Sequence, residues 1–150
     1  MSFTLKNLNS TLPNYLLQFD GGANPNPGPC AGSFVIYDQD KQIVFEGGKF
    51  LSNGTNNIGE YTGLLEGIKC CLENGIKNVS VEGDSKLVVQ QVAKQWNVNQ
   101  PHLKIYFQEI QDLIKKFDYF DIRHVYRENN KKADSLSDET LDKKTSWIRI

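Results

Sequence analysis

Tyr15-Leu16-Leu17-Gln18-Phe19-Asp20-Gly21-Gly22-Ala23-Asn24-Pro25-Asn26-Pro27-Gly28 begins as a short apolar run and stops at an acid and two glycines. It reads as a buried strand, Tyr15 to Phe19, followed by a turn and a loop of Pro, Asn and Gly. Working outward, Ala31 to Tyr37 and Gln42 to Phe50 flank Asp38-Gln39-Asp40-Lys41, a polar connection of hairpin length, so these strands should be antiparallel. Tyr61, Leu64, Leu65, Ile68 and Leu72 recur at helical spacing and end at Asn74-Gly75. Val79 and Val81 mark a fourth strand ending at Gly83-Asp84. Ser85 to about Gln95 reads as a helix, and a second follows Pro101 through Leu103, Phe107, Ile110, Leu113, Ile114 and Phe117. Phe120 to Tyr126 is the last strand, and Ala133, Leu136 and Leu141 suit a closing helix. The order β-β-β-α-β-α-α-β-α is that of an α/β domain. Its first three strands can form a meander, and the later ones should join by parallel crossovers.

The chain has 150 residues, with 17 Lys+Arg against 18 Asp+Glu and 39% hydrophobic residues, which fits one globular domain. Residues 1–13, rich in Asn, Ser and Thr, read as an N-terminal extension, 14–141 as the domain, and 142–150 as a tail. Apolar runs reach about four residues, against roughly 18 or more needed to cross a bilayer, and the start lacks a basic-then-apolar signal pattern. Neither membrane insertion nor classical secretion is expected. Cys70 and Cys71 are adjacent and Cys30 stands apart, so neither a disulfide framework nor a zinc motif can be built. That suits an intracellular, reducing compartment, cytoplasm or nucleus. The formal charge of -1 excludes a strongly basic, indiscriminate nucleic-acid binder.

The candidate chemistry is acidic. Asp20 ends the first strand, Asp84 ends the fourth, Glu60 lies in the first turn of the first helix, and Asp134 near the start of the last. If the first and fourth strands are parallel neighbours, Asp20 and Asp84 sit side by side at the crevice where α/β sheets bind ligands. Close carboxylates repel, so such a cluster implies bound cations. Oxygen donors without a Cys or His set favour Mg²⁺ or Mn²⁺. Two such ions about 3.5–4 Å apart are a device for cleaving phosphodiesters. Each acid also has a plainer reading. Asp20 suits a turn, Asp84 a helix cap before Ser85, Asn57-Ile58-Gly59-Glu60 a capping box, and Asp134 a solvated helix start.

The surrounding blocks weigh between these readings. DGGANPNPG (Asp20 to Gly28), TNNIGEYTGLLEGI (Thr55 to Ile68), GDSKLVVQQV (Gly83 to Val92) and HVYRENNKKADSLS (His124 to Ser137) resemble, in order, the four signature blocks of type 1 ribonuclease H. The resemblance implies a ribonuclease H-like fold: a five-stranded mixed sheet, a three-strand antiparallel meander plus two parallel strands, with helices on both faces. It implies an endoribonuclease that cuts the RNA strand of RNA–DNA hybrids by a two-metal-ion mechanism, leaving 5′-phosphate and 3′-hydroxyl ends. Two Mg²⁺ ions, with Mn²⁺ as substitute, would be held by Asp20, Glu60, Asp84 and Asp134. Gly21, Asn26, Asn56, Asn57, Ser85 and Lys131 would contact the hybrid, the amides in the minor groove, where RNA shows its 2′-hydroxyls. Asn130 matches a family Asn and reads as a cap for the last helix.

Two features depart from the family pattern. The flexible Gly-His-x-Gly loop is missing, so His124, placed in the last strand by the alternation of Ile122, His124 and Tyr126, and Arg127, in the loop, are auxiliary candidates. The basic, Trp-rich handle is also missing. The segment Lys94 to Gln100 holds one Lys and one Trp and is too short for it, and Trp96 reads as a cap on the core more than as a sugar contact. The chain thus resembles the compact members. The expected partner is the hybrid duplex, the expected state a monomer without an obligate protein partner. A hybrid-binding module without turnover, or a domain derived from a reverse transcriptase, is the alternative. Setting the four acids aside turns the formal charge from -1 to +3, compatible with nucleic-acid binding assisted by metal.

Overall fold

The computed structural model describes the backbone of strand Ser2–Lys6 and all of residues 15–150. In chain order the elements are β1 (Ser2–Lys6), β2 (Tyr15–Ala23), β3 (Gly28–Tyr37), β4 (Ile43–Gly54), α1 (Asn56–Glu73), β5 (Asn78–Gly83), α2 (Lys86–Val92), α3 (Pro101–Ile114), β6 (Tyr119–His124), α4 (Lys131–Lys143) and β7 (Trp147–Arg149). A single 3-10 turn, Arg127–Asn129, precedes α4.

The strands form one mixed sheet in the order β1-β6-β5-β2-β3-β4-β7. β5 runs parallel to both β2 and β6, and every other pairing is antiparallel. The expected meander and the two parallel strands are therefore present, but the sheet has seven strands rather than five. The added strands are the two edges, drawn from segments that read as extension and tail. β7 is only 3 residues long and pairs with Glu46, Gly47 and Gly48 of β4. A strand so short carries too little alternation to be read locally, and its pairing is decided by tertiary context. The rest of the proposed extension, Met1 and residues 7–13, lies outside the described residues.

Alternation along the strands sorts their side chains onto two faces. Leu17, Phe19, Val79, Val81, Phe120 and Ile122 point into a core completed by Tyr61, Leu64 and Ile68 of α1 and Leu103 and Ile110 of α3. Each such side chain contributes roughly 1.5–3 kcal/mol on burial. On the opposite face α4 lies over β2, β3 and β4, packing Ala133 and Leu136 against Val35. The Ser33 hydroxyl donates to the Ala133 carbonyl at 2.6 Å and shares a 2.8 Å hydrogen bond with Ser137.

The approach of α1 to the sheet is backbone against backbone. A Cβ at Gly21 would lie 2.1 Å from the Gly59 carbonyl carbon, one at Gly32 would lie 2.2 Å from the Gly63 nitrogen, and one at Gly63 would lie 2.4 Å from the Asp20 carbonyl oxygen. Gly59 and Gly63 are four apart and share a helix face. Glycine is required there by space, and the seam brings the residue after Gly59, Glu60, down onto β2.

Candidate active site

The parallel ladder between β2 and β5 ends at the pair Phe19 and Gly83. The next residues are Asp20 and Asp84, so the two strands deliver them side by side. β2 does not turn at Asp20: it continues to Ala23, paired with β3 from Asp20–Ser33 to Ala23–Cys30. The sheet therefore forks at Asp20, with β5 leaving and β3 staying, and the crevice opens between them. This removes the turn reading of Asp20.

The capping readings are resolved as well. Thr55 is the N-cap of α1, its hydroxyl accepting from the Ile58 amide at 3.2 Å, so Asn57 lies inside the helix rather than before it. Ser85 caps α2, accepting from the Val88 amide at 3.3 Å, which leaves the Asp84 carboxylate uncommitted to that helix. Asn130 stands at the start of α4 but makes no side-chain cap. Fully buried, it donates from Nδ2 to the Phe19 carbonyl at 2.9 Å and so ties α4 to β2 just before Asp20.

Carboxylate oxygens of Asp20, Glu60 and Asp84 all lie within 4.8 Å of one another. Asp134, one turn into α4, stands outside this triad but lines the same cleft of about 520 Å³. Burial, then the charge of Asp84 and the contact with Asp134, push the Asp20 carboxyl up to about 8. Glu60 is raised well above the usual carboxylate range by burial, then by the charges of Asp20 and Asp84. Its Oε1 is buried without a hydrogen-bond partner. An orphaned carboxylate oxygen among acids that cannot ionise together fits a hard divalent cation, which would satisfy the oxygen and let the acids ionise.

Around the acids, the cleft is lined by Gly21, Asn56, His124, Tyr126 and Arg127, among others. Arg127 is exposed and its Nη2 lies 3.4 Å from an oxygen of Asp134. His124 is the last residue of β6. Asn26 and Asn56 are linked: Asn26 Oδ1 accepts from the Asn56 amide at 3.0 Å, and Asn56 Oδ1 accepts from the Ala23 amide at 2.8 Å. Gly21 meets α1 rather than open space. Asn57 is half-buried, and Lys131 is exposed at the first position of α4. Lys132 is engaged by Glu46, 3.7 Å away. Trp96 is 45% exposed and does not cap the core, unlike the reading above. Ser137, Asp138 and Leu141 line the cleft and were missed. They lie three, four and seven residues after Asp134, and that helical spacing was the signal that could have found them.

The sequence profile of the family described as "Reverse transcriptase-like" matches residues 18–140. Ribonuclease HI of Halobacterium salinarum is 37% identical over 124 residues, 83% of this chain and 62% of the relative. The bifunctional protein Rv2228c of Mycobacterium tuberculosis is 33% identical over 85% of this chain and 35% of its own length, so the chain spans only part of these curated relatives. Among solved structures, RNase H1 from H. salinarum superposes with a TM-score of 0.83 at 36% identity, covering 86% of this chain and 98% of the other. LC11-RNase H1 in complex with an RNA/DNA hybrid gives 0.81 at 31% identity, covering 86% and 97%. The likeness runs through the crevice as well as the sheet, since the matched span holds all four acids: the chain belongs to the type 1 ribonuclease H family.

Proposed function

We propose that the protein is an endoribonuclease that hydrolyses the RNA strand of RNA–DNA hybrids in a divalent-metal-dependent reaction, leaving 5′-phosphate and 3′-hydroxyl ends. The observation that carries this reading is the buried, partnerless Oε1 of Glu60 within a triad of carboxylates at the sheet fork. A module that only binds would have no use for a buried carboxylate that needs a cation. The hybrid as substrate is supported by the LC11 relative, whose structure holds one.

Two Mg²⁺ ions, or Mn²⁺ in their place, are the proposed cofactors, and Asp20, Glu60, Asp84 and Asp134 would hold them. The chemistry such ions would supply when bound is a nucleophile at neutral pH and charge stabilisation for the leaving oxygen. The chain's own residues do the rest. Asn26 and Asn56 spend their side-chain oxygens on backbone amides, so they turn N–H donors outward. Donors match the acceptors of the minor groove, including the 2′-hydroxyl that marks RNA. Arg127 holds a positive charge beside Asp134 on the cleft wall, suited to a phosphate. The protein acts as a monomer in this reading, in a reducing compartment that suits its three free, buried cysteines.

Incubation with end-labelled hybrid, double-stranded RNA and single-stranded RNA, in Mg²⁺, Mn²⁺ or chelator, tests the proposal. Metal-dependent cutting of the hybrid is expected. Its absence in both metals would overturn the enzyme reading.

A further inference from the structure

Directly below the acids, on the same sheet face, lies a second polar layer. Gln18 is two residues before Asp20 on β2 and so shares its side of the sheet, and Glu82 is two before Asp84, which follows the end of β5. The two are opposite each other in the parallel ladder, and both are buried. Gln18 Nε2 donates to Glu82 Oε1 at 2.9 Å and to the Asn129 carbonyl at 3.1 Å. Both neighbours are acceptors, so the amide can present only its nitrogen to them, and both its N–H donors are used. Arg123 of β6 binds the other oxygen of Glu82 through Nε and Nη2, which fixes the carboxylate from the far side.

Asn129 closes the 3-10 turn that leads into α4. Gln18 and Asn130 therefore make two adjacent anchors between the same segments: side chain 18 to carbonyl 129, and side chain 130 to carbonyl 19. Residues 18 and 19 run straight into Asp20, and residues 129 and 130 lie about one helical turn before Asp134. This pair of hydrogen bonds ties the segment entering α4 to β2 right beside Asp20, while the Ser33 bonds to Ala133 and Ser137 hold the helix farther along.

We infer that Gln18 is a positioning residue for the metal centre, holding the α4 acid in register with the two strand acids through Glu82 and the Asn129 carbonyl. The inference rests on the hydrolase reading above for its catalytic consequence, though not for its effect on cation binding. Groups that orient metal ligands typically govern affinity or activity by about 10–100-fold.

Two variants test it. Gln18→Met fills a similar volume without a donor, and Gln18→Asn keeps the donors but is one methylene short. Mn²⁺ affinity is measured by calorimetry with the metal alone, and kcat and KM with the hybrid duplex, each also in an Asp134→Asn background. We expect Mn²⁺ affinity and kcat to fall about tenfold in both variants, with KM for the hybrid within about twofold. Added to Asp134→Asn, Gln18→Met should cost little more, because both act through the same acid. Full Mn²⁺ affinity in either variant with unchanged circular dichroism, or losses that multiply with Asp134→Asn, would overturn the inference. Should the unsubstituted protein cut no hybrid while the variants still lose Mn²⁺ affinity, the positioning role stands and only the hydrolase reading fails.

Discussion

Gly21 and Gly59 bring their backbones together so closely that a Cβ on the first would lie 2.1 Å from both the carbonyl carbon and the carbonyl oxygen of the second. The contact joins β2 to the first turns of α1, one residue from Asp20 on the strand and one from Glu60 on the helix. Gly21→Ala must therefore push α1 off the sheet. The expected cost is about 3 kcal/mol, a fall in melting temperature of roughly 6–12 °C for a domain of this size. Gly22→Ala is the control. Its Cβ would meet only Asn56 Oδ1 at 3.6 Å, an ordinary contact, and thermal melting should shift by no more than about 0.5 kcal/mol equivalent.

The Asp20 carboxyl is pushed up first by burial, then by the charge of Asp84 and by Asp134. Asp20→Asn should abolish hybrid cleavage. In chelator at neutral pH it should leave the melting temperature equal or higher, because a buried neutral amide replaces an acid under strain to ionise. A large fall in melting temperature would mean that the carboxylate holds the fork together instead.

The metal-free protein should lose stability as pH rises. An acid whose folded pKa is about 8 keeps its proton in the folded state while the unfolded chain, titrating near pH 4, gives it up. The loss accumulates between about pH 4 and pH 8, and Glu60, also raised, adds in the same direction. Denaturant titrations at pH 5 and pH 8 in chelator should show it. Mn²⁺ or Mg²⁺ should restore stability more at pH 8 than at pH 5, where the acids hold protons that compete with the cation.

Trp147 fastens the last strand. Its indole nitrogen donates to Thr140 Oγ1 at 2.9 Å, and the Arg149 guanidinium sits 4.2 Å from the ring centroid. Thr140 in turn packs where a Cβ on Gly48 would be 2.0 Å away, so α4, β4 and β7 meet at one point. Trp147→Ala should cost about 2 kcal/mol, less than for a fully buried Trp, and lower the melting temperature by roughly 4–8 °C.

Much of the crevice was legible because its acids follow strand ends and helix starts that announce themselves. Val79 and Val81 before Gly83-Asp84, and Tyr15 to Phe19 before Asp20, are apolar runs that stop abruptly. What could not be read was how far β2 continues. Asp-Gly-Gly has the composition of a turn, but the glycines are there to admit α1, and the strand goes on to Ala23. The same limit hid the role of Asn130. A cap and a helix-to-strand brace use the same amide at the same helix start, and only tertiary contact decides between them. Ser85 and Thr55 were the true caps, one residue or more away from the acids and amides assigned to that task. Gln18 gave no signal, since one polar residue in an apolar strand is ordinary until its partners are seen.

The fork at Asp20 also bears on how the protein acquires its acidic centre. β2, α1, the residue just after β5, and α4 each contribute one acid, and no two neighbouring elements in the chain can assemble the set. A partly folded chain would hold the acids far apart, exposed and ordinarily acidic, with little grip on a cation. On the proposed reading, cation affinity would be a late product of folding, complete only once the parallel crossover has closed and the last helix has brought in Asp134. The crevice would then work as its own inspection point, since a molecule able to bind the metal would be one whose topology is complete.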